Sequence, residues 1–273
     1  MQDIALIIST TLMYSTPLIF AALGGVFSEN SGIVNIGIEG MMTIGAFAGA
    51  AAGYMLGNPW LAFIIGGLAG GLFALVHALA TVTFNADHTI SGVAINLLAP
   101  GVALFASKIM FDGATMTPTI PMEQKIPRPL NGLFPSGSIL DTIFNAYATV
   151  FIAFILVAVT WYVLYKTKFG LRIRAVGEHP GAADTLGISV AKTRYAAVII
   201  SGILAGLGGA SMSLAVVSSF RPTLISGHGY IAMAAVIFGK WRPQWAMAAC
   251  LLFGFSTALS VYFGNPELPF SIN

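Results

Sequence analysis

Between Glu39 and Asp87 the chain carries no Asp, Glu, Lys or Arg. A run of that length has too little charge to face water, and it suffices for two bilayer crossings at roughly 20 apolar residues each. Further uncharged runs separate Asp3 from Glu29, Asp87 from Lys108, Asp141 from Lys166, Arg194 from Arg221, Arg221 from Lys240, and Arg242 from Glu267. Together they give eight expected spans: 4–27, 40–57, 60–83, 89–111, 143–165, 195–219, 227–239 and 244–263. The seventh is short, which suits a tilted, re-entrant or broken segment. With 57% hydrophobic and 8% charged residues and a mean hydropathy of +0.87, the expected fold is an all-α polytopic membrane protein. It forms a single transmembrane domain over residues 1–273. A net charge of +2 is too small and scattered for a nucleic-acid partner. The one cysteine, Cys250, lies in an apolar run and reads as a packing residue.

The opening MQDIALIIST lacks a basic leader region and reads as a retained first span. Glycines spaced by four at Gly45/Gly49/Gly53, Gly66/Gly70, Gly67/Gly71 and Gly202/Gly206 predict closely packed helices. The sequence has no Gly-Lys-Ser/Thr phosphate loop, no His/Glu metal pair at helical spacing and no nucleophile elbow. An ATP-driven process would therefore need a motor on another polypeptide.

Half of the twelve Lys and Arg residues fall in 166–194: Lys166, Lys168, Arg172, Arg174, Lys192 and Arg194. The excess of basic residues in short loops marks the cytoplasmic side, and Lys240-Trp241-Arg242 agrees across two crossings. The same count places the Pro/Gly-rich segment 112–142 outside as an irregular loop, and the N-terminus outside. Within the basic loop, Pro180 suits a helix start and Gly187 a C-cap, so Pro180 to Leu186 predicts a helix of two turns at most. So short a helix is marginal alone. From the residues, both an ordinary connector and a docking element remain open.

The segment RAVGEHPGAADTLGISVAKTRYAAVIISGILAGLGGA resembles the coupling loop and following span of ABC importer permeases of the branched-chain amino acid and simple-sugar class. FSENSGIVNIGIEGMMTIGAFAGA (27–50), TISGVAINLLA (89–99) and SGHGYIAMAAVIFGKWRP (226–243) fit the same family. The likeness runs from about residue 15 to 263 and is nearest to the nucleoside-type subgroup. The resemblance implies that Glu178, His179, Pro180, Ala182, Ala183 and Gly187 form the contact with a cytoplasmic ATP-binding subunit, with Ala182 and Ala183 facing its groove. It also implies a related permease subunit, in this subgroup a different chain, and an extracytoplasmic solute-binding protein. ATP would be bound by the partner, with no cofactor in this chain, and the setting would be a bacterial plasma membrane. The family usually continues with at least one more span, which eight crossings leave unaccounted for.

Polar residues inside the spans are costly and mark pathways or partners. GGVFSENSGIVNIGIEG places Glu29, Asn30, Asn35 and Glu39 between apolar runs, where Gly32, Gly37 and Gly40 would let a helix break. A solvated turn and a pathway segment both fit. Asn96 reads either as glue between helices or as a solute contact. His77 reads as a satisfied interior histidine, and His228 as lining a vestibule near the outer side. The candidate pathway residues are thus Asn35, Glu39, Asn96 and His228. The expected function is import of a small polar solute, most simply a nucleoside. Simple-sugar or branched-chain amino acid import is the alternative within the family. An ion-coupled secondary transporter is the rival of another class, with Glu29 and Glu39 its only candidate coupling groups.

Overall fold

The computed structural model describes residues 2–135 and 137–264, and their regular structure is entirely helical. Each expected span corresponds to one helix: α1 (Gln2–Asn30), α2 (Ile38–Leu56), α3 (Pro59–Ala78), α4 (His88–Met110), α6 (Ala148–Lys166), α9 (Val190–Ser211), α10 (His228–Phe238) and α11 (Pro243–Phe263). Three short helices fill the connections: α5 (Ile139–Phe144), α7 (Lys168–Glu178) and α8 (Pro180–Thr185). Wider π turns extend α3 to Thr83 and α9 to Val216. Among the described residues, six helices are long and apolar enough to cross a bilayer. α2 has the length but carries Glu39 and glycines, and α10 is a half-crossing of 11 residues. The chain is a multi-pass membrane protein. The further span expected from the family would fall beyond residue 264, outside the described residues.

Two boundaries differ from expectation. The fifth span begins at Ala148, because residues 145–147 break from helix so that the Ala148 amide can donate to the Pro127 carbonyl at 3.0 Å. The basic loop holds a second helix, α7. Its half-buried Phe169 and buried Ile173 and Val176 share one face at helical spacing.

α9 is the axis of the bundle, packed against α1, α2 and α3. Lipid gives little hydrophobic drive between helices, so close backbone approach does the holding. A Cβ on Gly206 would sit 2.5 Å from the Gly66 carbonyl oxygen of α3, and one on Gly66 would sit 2.7 Å from the Gly45 carbonyl oxygen of α2. Gly24 of α1 meets the Ser201 backbone of α9 just as closely. The four-residue glycine spacings therefore mark where α2, α3 and α9 touch, and Gly24 adds α1. On the outside, α3 and α4 present Leu72, Ile90, Leu97 and Phe105 outward.

The basic loop 167–189, the reversal at 31–34, the 84–87 turn and the 239–242 turn gather at one end of the bundle, here the basic end. At the other end, segment 112–147 folds back onto the helices. Thr117 and Ile120 donate their amides to the Phe220 and Ser218 carbonyls, at 3.1 and 2.8 Å.

Gly206→Ala is expected to destabilise the purified protein by about 3 kcal/mol, the upper range of overpacking. Gly101→Ala, with nothing within 4 Å of the added carbon, is expected to be neutral or slightly stabilising. Thermal unfolding in detergent separates the two.

Candidate functional site

α1 stops at Asn30, and the chain turns back into the bundle as a non-helical segment before α2 starts at Ile38. Non-helical backbone at such depth survives only where protein or a cavity supplies its partners. Here side chains supply them. Ser28 and Ser31 hydroxyls donate to the Ile33 and Ser28 carbonyls at 2.7 and 2.6 Å. The Val34 amide donates to His88 Nδ1 at 3.3 Å, and the Val34 carbonyl lies 3.4 Å from His77 Nε2. The Ile36 carbonyl accepts from Asn96 Nδ2 at 2.9 Å. Asn35, fully buried, donates to Ser201 Oγ of α9 at 2.9 Å.

A second interruption enters from the opposite end. After the π turn of α9, residues 217–227 descend without regular structure, with Ser218, Ser226 and Gly227 at φ of 71°, 24° and 94°. α10 then starts at His228 and runs about 15 Å to Phe238 at the basic end. Its first turn therefore lies near half the depth of a ~30 Å hydrocarbon layer.

The two interruptions meet at Glu39. Its Oε1 accepts from the Gly227 amide at 2.6 Å and its Oε2 from the Gly229 amide at 2.7 Å. A carboxylate at a helix N-terminus, bonded to two unpaired amides, is held by both the dipole and charge-assisted hydrogen bonds. That explains how an acidic group sits among the spans without Lys or Arg. A Cβ at position 229 would fall 2.5 Å from Glu39 Cα, so glycine is required there. Of the two readings open for Glu39, the solvated turn does not describe these contacts.

Asn96 completes the seam. Its Oδ1 accepts from the Gly40 amide at 2.8 Å, and its Nδ2 donates to the Ile36 carbonyl and to Tyr230 Oη, both at 2.9 Å. The glue reading thus fits its contacts. His228, expected near an outer vestibule, lies at the seam's depth, with Nδ1 against the Ile225 carbonyl. The structure brings Asn35, Glu39, Asn96 and His228 into one region and adds Gly227, Gly229, Tyr230 and Ser201. The Gly-His-Gly pattern ahead of an apolar run was the available signal for the glycines. Nothing in the sequence pointed to Tyr230 or Ser201.

Glu29 stays at the basic end, hydrogen-bonded to Trp241 Nε1. With Asn30, Arg174, Gly177, Glu178, Lys240 and Trp241 it lines a cavity of about 410 Å³. In the loop beyond, α8 begins with Pro180 as its first residue, and Gly187 adopts φ 76°. Glu178, His179, Pro180, Ala182 and Gly187 are exposed. Ala183 is not: at 2% exposure it points into the loop's own packing, because its amide and carbonyl close the turn with His179, Leu186 and Ile188. The expectation that Ala183 faces a partner's groove is corrected accordingly.

The family described as branched-chain amino acid transport system / permease component matches residues 7–271. The chain belongs to this permease family. The permease is 47% identical to the guanosine ABC transporter permease protein NupQ of Bacillus subtilis, over 95% of this chain and 83% of that one. It is 43% identical to the nucleoside ABC transporter permease protein NupC of Lactococcus lactis, over 97% and 84%. It is 37% identical to the putative glucose ABC transporter permease protein TsgC13 of Haloferax volcanii, over 93% and 77%. No solved structure matches the permease.

Glu39→Gln replaces one acceptor oxygen with an amide that opposes a backbone N–H, a loss of about 1–3 kcal/mol at a buried bond. The expected outcome is faster hydrogen exchange at residues 227–231 of α10 and uptake at least about tenfold lower, with the complex still assembled. Exchange mass spectrometry and transport assays on the same preparation check both.

Proposed function

We propose that this chain is the nucleoside-conducting permease subunit of an ABC importer. The observation that carries the reading is its 47% and 43% identity, over nearly the whole chain, to permeases named for guanosine and nucleosides. The polar seam of Glu39, Asn96 and Tyr230 supports a route for a neutral polar solute. Half-depth polar groups on the flank of a single chain suit a pathway closed by a second permease subunit, related but different in sequence. The chain itself does no chemistry, and ATP is hydrolysed by a cytoplasmic partner. An extracytoplasmic binding protein delivers the solute.

In this reading the N-terminus is outside, 112–142 is external, and the basic end faces the cytoplasm, following the basic bias of the loop. The tip of that loop meets the ATPase. The support is physical: Leu186 is 80% exposed at the tip of the loop, and exposed large apolar side chains in such places suit a protein contact. A Cβ at Gly181 would meet nothing within 4 Å, and Ala182 is exposed.

The test is purification of the complex from native membranes, identification of its chains, and measurement of ATP hydrolysis with candidate solutes. Nucleosides are expected to stimulate hydrolysis, and glucose or branched-chain amino acids are not. Stimulation by glucose alone would overturn the nucleoside assignment.

Ala182→Trp and Leu186→Asp are expected to weaken docking of the ATPase by about tenfold to a hundredfold, as overpacking or a lost apolar contact of ~1–3 kcal/mol implies. The amount of permease in the membrane should not change. Co-purification measures the effect. Ala183→Trp is uninformative for docking, since bulk there disrupts the loop itself. A single cysteine at 182 in a Cys250-free variant should be labelled only from the cytoplasmic side.

A further inference from the structure

The polar groups of the seam differ in what they have left to offer a solute. Both oxygens of Glu39 are engaged by the Gly227 and Gly229 amides. Asn96 has donated both of its amide hydrogens, to Ile36 and Tyr230, and its oxygen accepts from Gly40. Asn35 is 1% exposed. His228 Nδ1 is turned back onto the Ile225 carbonyl.

Tyr230 is the most exposed of these side chains. Its hydroxyl oxygen accepts from Asn96, so its own proton remains free to donate. Its ring is 48% exposed on the first turn of α10. Tyrosines in membrane proteins favour the interfaces, where the hydroxyl is wet. One near half depth, beside a carboxylate and an amide side chain, suits a polar route better than lipid. An aromatic face with a donor at its rim fits a planar heteroaromatic ring whose edge carries an acceptor.

We infer that Tyr230 is the specificity-determining residue of the pathway, stacking on the base of the passing nucleoside while its hydroxyl donates to the base edge. Asn96 acts as its positioning residue, fixing the hydroxyl from α4. This rests on the nucleoside reading above and adds the side chain that distinguishes the base.

The experiment uses the complete complex in proteoliposomes with saturating binding protein. Initial uptake rates of guanosine and uridine are compared for the parent, Tyr230→Phe and Tyr230→Leu. Stacking scales with ring area, so Tyr230→Leu should lower guanosine uptake by about tenfold or more and uridine uptake by less. Tyr230→Phe, which keeps the ring, should hold the guanosine-to-uridine ratio within about threefold of the parent, as loss of one hydrogen bond implies. Parental uptake of both solutes by Tyr230→Leu overturns the assignment. So does an equal loss of both, or loss of the second permease subunit on purification, either of which marks a packing role. A parent complex that imports glucose and neither nucleoside overturns the functional reading itself, and this inference with it.

Discussion

A backbone amide without a partner costs several kcal/mol in hydrocarbon, and this chain breaks its helices twice inside the bundle. The two breaks meet at Glu39. Its carboxylate takes two amides at the open start of α10, while the segment leading to it is closed by Asn96, Asn35 and His77. Remove that anion, and α10 begins with unsatisfied donors at half depth. The positions of Tyr230, His228 and the 217–227 descent all follow from this one joint.

The joint needs a fixed frame, and the glycine contacts around α9 provide it. Where Gly24, Gly45, Gly66, Gly70 and Gly206 sit, backbone meets backbone, with no flexible side chain to absorb a shift. Ser201 lies in that frame, and Asn35 is tied to it. At the basic end, the same reversal touches the loop helices: a Cβ on Gly177 of α7 would strike the Asn30 carbonyl, and Arg194 Nε donates to the Ser31 carbonyl at 3.3 Å. The exposed tip at Leu186 and the seam at Glu39 are thus joined by contiguous packed residues through α7 and 31–37.

What could be read from the chain alone was what hydrocarbon dictates locally. Uncharged runs located eight apolar helices within a few residues, six of them long and apolar enough to cross a bilayer, and Pro180 and Gly187 bracketed α8. The polar residues between α1 and α2 were identifiable because each is expensive there. Orientation of side chains was not legible. Ala182 and Ala183 are chemically alike, and only the turn closed through His179 and Ile188 sends one outward and one inward. Nor could Tyr230 be found. Its significance comes from Asn96, 134 residues away in sequence, and pairs between distant spans leave no local pattern. α7 has an apolar spacing at Phe169, Ile173 and Val176, but in the sequence it is overlaid by the basic residues that flank it.

The same joint also couples parts of the chain that are far apart in sequence. Glu39 is the second residue of α2, and the amides it accepts from lie 188 and 190 residues further along. Helices form locally and fast, whereas contacts of long sequence separation close late. The open start of α10 therefore cannot be satisfied by its own neighbourhood in sequence. It is completed only when the bundle brings α2 to it, so the half-helix is a product of assembly and not a starting point for it.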